Sequence, residues 1–344
     1  MKREELVAKL KAVLIGTDVK KSVDGFDTFV FRDDVVRTFN YNISVSYPLK
    51  TGVSCAVKAE DLFKVLSRME GESISIAIKK NSLEIKDNKT TLKLAVLEDK
   101  VTQHVDELKV GEIIWEKLPE GFMRGLELCC FSAARSVVFG TLTGVGVSGK
   151  DIVSTDNWRA SWFQLKEDMK TFVIPIESAE ALCNFEGYQE YGIDSESAWL
   201  HLKNKEGVIF SSRLFAADDF PFSGIKEYFS SDSTTKYSFP EGIQKTLDRI
   251  SPFAFSDQTS GNEFISISEE DGYIICRGAK DYGEVEEKIK VPDGSFPKGA
   301  QLNISQAFLR DILPKSRDFL VKEDIVIFDL GDFKHLITII GAGD

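Results

Sequence analysis

Apolar residues recur at helical spacing in three places about 115–120 residues apart: Leu6, Val7, Leu10, Val13 and Leu14; Phe122, Met123, Leu126, Cys129 and Cys130; and Ile243, Leu247 and Ile250. A second helical set falls midway through each third, at Leu62, Phe63, Leu66 and Met69, at Ala179, Ala181, Leu182 and Phe185, and at Phe308, Leu309, Ile312 and Leu313. Steps of three and four place each set on one face, which must be covered. Elsewhere the period changes to two, as in Ser73-Ile74-Ser75-Ile76-Ala77-Ile78, Trp199-Leu200-His201-Leu202 and Phe264-Ile265-Ser266-Ile267-Ser268, the pattern of strands with one buried face. Turn signals at Lys80-Asn81-Ser82, Asp87-Asn88-Lys89, Ser148-Gly149-Lys150 and Glu270-Asp271-Gly272 leave room for short antiparallel hairpins, not for parallel crossovers. Each third therefore reads helix, strands, helix, strands. The pattern predicts an α+β fold repeated three times, with two helices packed on antiparallel sheets in each copy.

At roughly 150 residues per domain, 344 residues accommodate two or three domains. No Pro/Gly/Ser linker separates the thirds, but 107–117 and 230–236 are polar and weakly patterned, which sets the predicted domains at 1–110, 111–236 and 237–344.

Charge narrows the function. With 43 Lys+Arg against 55 Asp+Glu the net charge is −12, which repels polyanions on average and excludes a simple basic nucleic-acid binder. Any DNA contact must be local, and the first third is the least acidic. No apolar run of about 18 residues occurs, and Met1-Lys2-Arg3-Glu4-Glu5 leads into an amphipathic pattern, so the expectation is a cytoplasmic protein with no membrane partner. Five cysteines (Cys55, Cys129, Cys130, Cys183 and Cys276) lie among apolar neighbours and read as reduced core thiols.

Catalytic constellations are not found. His104, His201 and His335 are far apart in sequence, and neighbours such as Cys129 and Cys130 point about 100° apart on a helix, so metal-ligand spacing is missing. Gly140-Thr141-Leu142-Thr143-Gly144-Val145-Gly146 lacks the Lys-Ser/Thr and the helix of a phosphate loop. Asp33-Asp34 and Asp218-Asp219 sit in turns, where solvated carboxylates are ordinary. The expectation is a protein without cofactor, metal or catalytic residue.

Basic residues on the helices repeat a spacing. Lys64 and Arg68 lie one turn apart opposite Leu62 and Leu66, Lys245 and Arg249 do the same opposite Ile243 and Leu247, and Arg124, Arg310, Lys315 and Arg317 lie on or beside other helices. Taken alone, these are the solvated faces of amphipathic helices.

Several segments resemble the bacterial DNA polymerase III beta subunit, or sliding clamp, family. Leu142-Thr143-Gly144-Val145 followed by Val153-Ser154-Thr155-Asp156-Asn157-Trp158-Arg159-Ala160 is similar to its central Ala-Thr-Asp-Gly-His-Arg-Leu motif. Phe210-Ser211-Ser212-Arg213-Leu214 with Asp219-Phe220-Pro221, then Gly283-Glu284-Val285-Glu286-Glu287 and Leu302-Asn303-Ile304-Ser305, resemble later signatures in the same order. The chain departs from the family at Asn157-Trp158-Arg159-Ala160, at Leu336-Ile337-Thr338-Ile339-Ile340 near its end, and at Glu60, where the family has a basic residue.

The resemblance implies three clamp-type domains and a ring-forming, head-to-tail homodimer around double-stranded DNA. It implies a processivity function for a replicative DNA polymerase, with polymerase and clamp loader bound through short linear motifs. Lys58, Lys64, Arg68, Arg124, Lys245, Arg249 and Arg310 would then face the DNA. Leu142, Thr155, Asp156, Trp158, Arg159, Ala160 and Pro221, closed by Ile337, Ile339 and Ile340, would form a partner-peptide cleft. The alternatives are a metal-dependent nuclease using scattered carboxylates, or a repeat-built scaffold that does not bind DNA.

Overall fold

The structure is a computed structural model that describes the whole chain except residues 19–22, 99–101, 106–112, 195, 197, 231–234, 257–262 and 342–344 and the side chain of His104. The predicted boundary at 110 and part of the polar segment before position 236 lie outside the described residues. Among the described residues there are seven α-helices: α1 (Arg3–Leu14), α2 (Ala59–Arg68), α3 (Phe122–Cys130), α4 (Ile176–Cys183), α5 (Phe222–Tyr228), α6 (Ile243–Ile250) and α7 (Gln306–Ile312). Six are the helices that the apolar spacing predicts. The short α5 is not predicted, because it buries only Ile225 and so leaves no stripe to read.

The chain forms two compact units, Met1–Pro119 with Phe172–Ala216, and Glu120–Thr171 with Ala217–Asp344. In the first, α1 buries Leu6, Leu10 and Val13 and α2 buries Leu62 and Leu66, the stripes seen in the sequence. Its large sheet is built from β1 (Thr28–Arg32), β2 (Val35–Phe39), β3 (Ile43–Pro48), β4 (Cys55–Lys58), β8 (Glu116–Lys117), β11 (Tyr188–Ile193), β12 (Trp199–Asn204) and β13 (Ile209–Arg213). The order is β4-β1-β2-β3-β13-β12-β11-β8. Pairing of Val45 with Phe210 and of Ser44 with Ser211 joins strands from the first and middle thirds in one antiparallel sheet. The carboxylate pair Asp33 and Asp34 forms the β1–β2 hairpin turn with φ of 54° and 56°, as its turn reading requires. A separate sheet holds β5 (Ser75–Lys79), β6 (Ser82–Lys86) and β7 (Thr91–Ala95).

The second unit contains β9 (Gly144–Thr155), β10 (Arg159–Pro175, whose last residues from Phe172 belong to the first unit), β14 (Tyr237–Ser238), β20 (Asp318–Lys322), β21 (Ile325–Asp329) and β22 (Phe333–Thr338). They run in the order β14-β20-β21-β22-β10-β9, with Ala160 opposite Leu336 and Ser161 opposite His335. The predicted turn at Ser148-Gly149-Lys150 falls inside β9, where Gly149 takes φ 58°. A further sheet has β15 (Phe255–Ser256), β16 (Glu263–Glu270), β17 (Tyr273–Lys280) and β18 (Gly283–Lys290) in sequence, with β19 (Gln301–Ile304) also paired to β16. Phe239, Phe296, Phe319 and Phe328 are fully buried here, Phe239 stacking on Phe319 at 4.4 Å between centroids. Each such ring withdrawn from water contributes about 1.5–3 kcal/mol before entropy is counted.

Two helices start alike. Pro119-Glu120-Gly121 precedes α3 and Pro240-Glu241-Gly242 precedes α6, and the glycines adopt φ of 89° and 86°. An L side chain strains at that φ, so the repeated glycine fixes the same chain entry in both copies.

Candidate functional site

The seven basic residues divide by what each one touches. Lys58 donates to Asp27 at 2.7 Å and to Asp24 at 3.3 Å in a cavity of about 270 Å³ that Glu60 and Asp61 also line. Burial alone lowers its ammonium pKa, but the bonds to Asp27 and Asp24 hold it above the ordinary lysine value. Lys64 pairs with Glu60 one turn back, and Arg124 pairs with Asp332 at 2.9 Å. Arg249 donates from Nε to Glu287 at 2.9 Å, which raises the guanidinium pKa, while that arginine holds the Glu287 carboxyl below the usual range. Arg310 bonds through Nε to Asp248 on α6 at 2.7 Å. Only Arg68 and Lys245 of the seven have no carboxylate partner among the described residues.

Lys245 is joined by Arg317, which the sequence pattern placed on or beside a helix but which is not among the seven DNA-facing cations. With Arg317, also without an ion-pair partner among the described residues, it lines a cavity of about 470 Å³ at the start of α6, beside Glu241, Gly242, Ile243 and Gln244. Two cations against the one carboxylate of Glu241, at a helix N-terminus, leave a net positive charge that favours an anion there. The cavity at Lys58, with four carboxylates around one ammonium, has the opposite balance.

The cleft residues fall into two loci. At the first, Arg159 lies opposite Ile337 and Ala160 opposite Leu336 across the β10–β22 pair. Thr155 Oγ1 donates to the Arg159 carbonyl at 2.7 Å, and the Asp156 backbone N–H donates to the same oxygen. Thr338 donates to the Trp158 carbonyl from its backbone N–H at 2.9 Å and from Oγ1 at 3.0 Å. The structure thus brings Thr155, Asp156, Trp158, Arg159, Ala160 and Ile337 together. Leu142 and Pro221 belong to the second locus, where Thr141 Oγ1 donates to the Asp219 carbonyl at 3.1 Å.

Four of the cleft side chains are committed to the fold. Arg159, with a side chain only 10% exposed, is held by Asp156 at 2.9 Å and by Asp311, and its guanidinium stacks over Phe308 at 4.3 Å. Ile337 is fully buried, and Ile339 and Ile340 are nearly so, their N–H groups bonded to the carbonyls of Asp324 and Asn303. Trp158 is half-buried and keeps open surface.

Among the described residues, no group of three or more His, Cys, Asp or Glu side chains is placed to hold a metal. His201 and His335 are buried against serines. His201 Nδ1 lies 2.8 Å from Ser211 Oγ, and His335 Nδ1 lies 3.0 Å from Ser161 Oγ. Burial lowers both pKa values, that of His201 to about 4 and that of His335 well below the ordinary imidazole value, so both rings are neutral core groups. The Cys55 and Cys276 thiols are buried, and burial pushes them up to about 11 and about 12, away from the thiolate form a nucleophile needs. No helix among the described residues is long and apolar enough to cross a membrane.

No family model matches the chain, and no curated protein matches it. Solved structures do. The beta subunit from DNA polymerase of Streptococcus pyogenes superposes with a TM-score of 0.81 at 15% identity, covering 99% of this chain and 98% of that one. The DNA polymerase sliding clamp from Bacillus subtilis gives 0.77 at 17% identity with the same coverage. A sliding clamp, the DNA polymerase III subunit beta, from Pseudomonas aeruginosa bound to griselimycin gives 0.78 at 16% identity, again over 99% and 98%. Along its whole length, and as the α+β reading with antiparallel sheets predicted, the chain has the fold of the bacterial sliding clamps.

Proposed function

We propose that the chain is a sliding clamp, a non-enzymatic subunit that encircles duplex DNA without sequence preference and tethers a replicative polymerase in the cytoplasm. The observation that carries this reading is the superposition over 99% of the chain on beta subunits of DNA polymerase. The chain's three repeats, 1–110, 111–236 and 237–344, are its three clamp-type domains, and two copies close head-to-tail into a ring. Sheet edges supply the joint. Strand β18 ends its sheet, and β5 and β7 are the edges of the three-stranded sheet. Pairing such edges across the joint hides open backbone groups.

Retention on DNA comes from topology. A net charge of −12 weakens adsorption to DNA from outside, while a few local cations, Arg68, Lys245 and Arg317 foremost, meet phosphates inside. Such contacts carry no base information and exchange as the protein slides. ATP chemistry belongs to the loader, which binds with the polymerase through short linear motifs at Trp158. Light scattering coupled to gel filtration tests the assembly: the reading requires twice the chain mass of 38.5 kDa, and a monomer at micromolar concentration contradicts it.

A further inference from the structure

Between Ala134 and Leu142 the chain exposes three consecutive apolar residues, Val137, Val138 and Phe139, at 88%, 81% and 40% of their full surface. Single exposed apolar residues are ordinary, but a contiguous run costs solvation and marks a surface that is covered in use. The run is held in place from several sides. The Ala134 N–H donates to the Leu142 carbonyl at 2.9 Å and closes the base of the loop, and the Phe139 N–H donates to the Ser136 carbonyl at 3.1 Å. Thr143 Oγ1 donates to the carbonyl of Gly140, whose φ of 56° makes the turn after the tip. Thr141 ties the loop to the short Ala217–Asp219 turn through the Asp219 carbonyl. That turn is itself anchored by Phe220, which is buried and packs on Phe222 at 4.8 Å.

Beside the apolar tip, the Asp218 and Asp219 side chains are exposed and have no ion-pair or hydrogen-bond partner among the described residues. The two features together define the chemistry of an occupant. Apolar side chains cover Val137, Val138 and Phe139, and cationic ones neutralise the carboxylates. The same carboxylates repel a phosphate backbone and an anionic lipid surface.

We propose that the Val137-Val138-Phe139 tip and the Asp218-Asp219 turn form a docking surface for an extended peptide segment in which apolar and basic side chains alternate. The choice of a peptide rests on the cleft reading above, because the loop closes at Leu142 and the acidic turn runs on into Pro221, two of the cleft residues. The surface lengthens the cleft and adds a preference for basic partners. Alternation suits it, since successive side chains of an extended segment point to opposite sides and every second one reaches the same surface.

The test uses the full chain and a fluorescein-labelled peptide of alternating Lys and Leu, read by anisotropy, with a Glu/Leu peptide as its charge-reversed control. The Lys/Leu peptide binds and the Glu/Leu peptide does not. Val137→Ser combined with Phe139→Ser weakens binding about tenfold or more, as expected for a central apolar anchor. Asp218→Asn combined with Asp219→Asn weakens it severalfold and flattens its salt dependence. All four positions are exposed, so the variants keep the wild-type melting temperature. Equal affinity of wild type and both double variants overturns the proposal, as does a lower native mass for the Val137/Phe139 variant, which would make the tip a contact between copies. Trp158→Ala separates this surface from the cleft: loss in the tip variant without loss in Trp158→Ala supports the surface and removes the cleft, and the converse overturns the surface alone.

Discussion

Arg249 on α6 donates from Nε to a carboxylate oxygen of Glu287 on β18 at 2.9 Å, so a cation predicted to face DNA is neutralised 38 positions along its own chain. The same holds for Arg310 with Asp248 and Lys64 with Glu60. A phosphate that meets these arginines and lysines must displace a carboxylate first, and a paired cation releases fewer counterions from DNA than a free one.

Removing those carboxylates therefore strengthens the salt-sensitive grip. Glu60→Gln, Asp248→Asn and Glu287→Gln together are expected to steepen the log-log salt slope of duplex binding, by up to about 0.9 for each cation freed. Lys245→Ala with Arg317→Ala flattens it by a similar amount per residue. Slopes unchanged in both variants place the duplex elsewhere.

Buried histidines give stability a defined pH dependence. The folded-state pKa of His201 is lowered by burial to about 4, below the value of about 6.5 for an unfolded imidazole, so the unfolded chain binds the proton first. Stability present above pH 6.5 is lost as pH falls toward 4, at no more than about 1.4 kcal/mol per pH unit for this one group. Denaturant melts of His201→Gln should lack this share of the slope; an identical pH profile means that the ring is not buried neutral.

The helix faces were legible because burial there is local: Ile243, Leu247 and Ile250 announce α6 by spacing alone. Leu247 is fully buried, and Leu247→Ala is expected to cost about 2–5 kcal/mol in a denaturant titration. The start of that helix was not read from the sequence; the structure gives the repeated Pro-Glu-Gly its meaning through the positive φ of Gly121 and Gly242. The charge pairing was not readable. Arg124 meets Asp332 across 208 positions and Arg310 meets Asp248 across 62, and no local pattern encodes such partners. For the same reason the sequence did not show that the isoleucines near the end, read as a cleft wall, are buried, Ile337 within β22 and Ile339 and Ile340 just past it, since alternation shows which face is apolar but not what covers it.

Trp158 keeps surface to offer, and Trp158→Ala is expected to weaken a polymerase or loader tail peptide by about 1–3 kcal/mol. Ending the chain after Thr338 is a poorer probe, because it removes the backbone hydrogen bonds of Ile339 and Ile340 to Asp324 and Asn303 and so loosens the fold. Calorimetry on Trp158→Ala with an unchanged melting temperature decides the point; unchanged affinity puts the partner site elsewhere.

The central claim is that the protein holds DNA by enclosing it. The direct measurement is retention on a nicked circular duplex after loading, followed at high salt before and after the circle is cut once at a site with free ends. Encirclement predicts that the protein stays on the circle and is released on linearisation. Protein that survives cutting, or never persists on the closed circle, contradicts the clamp.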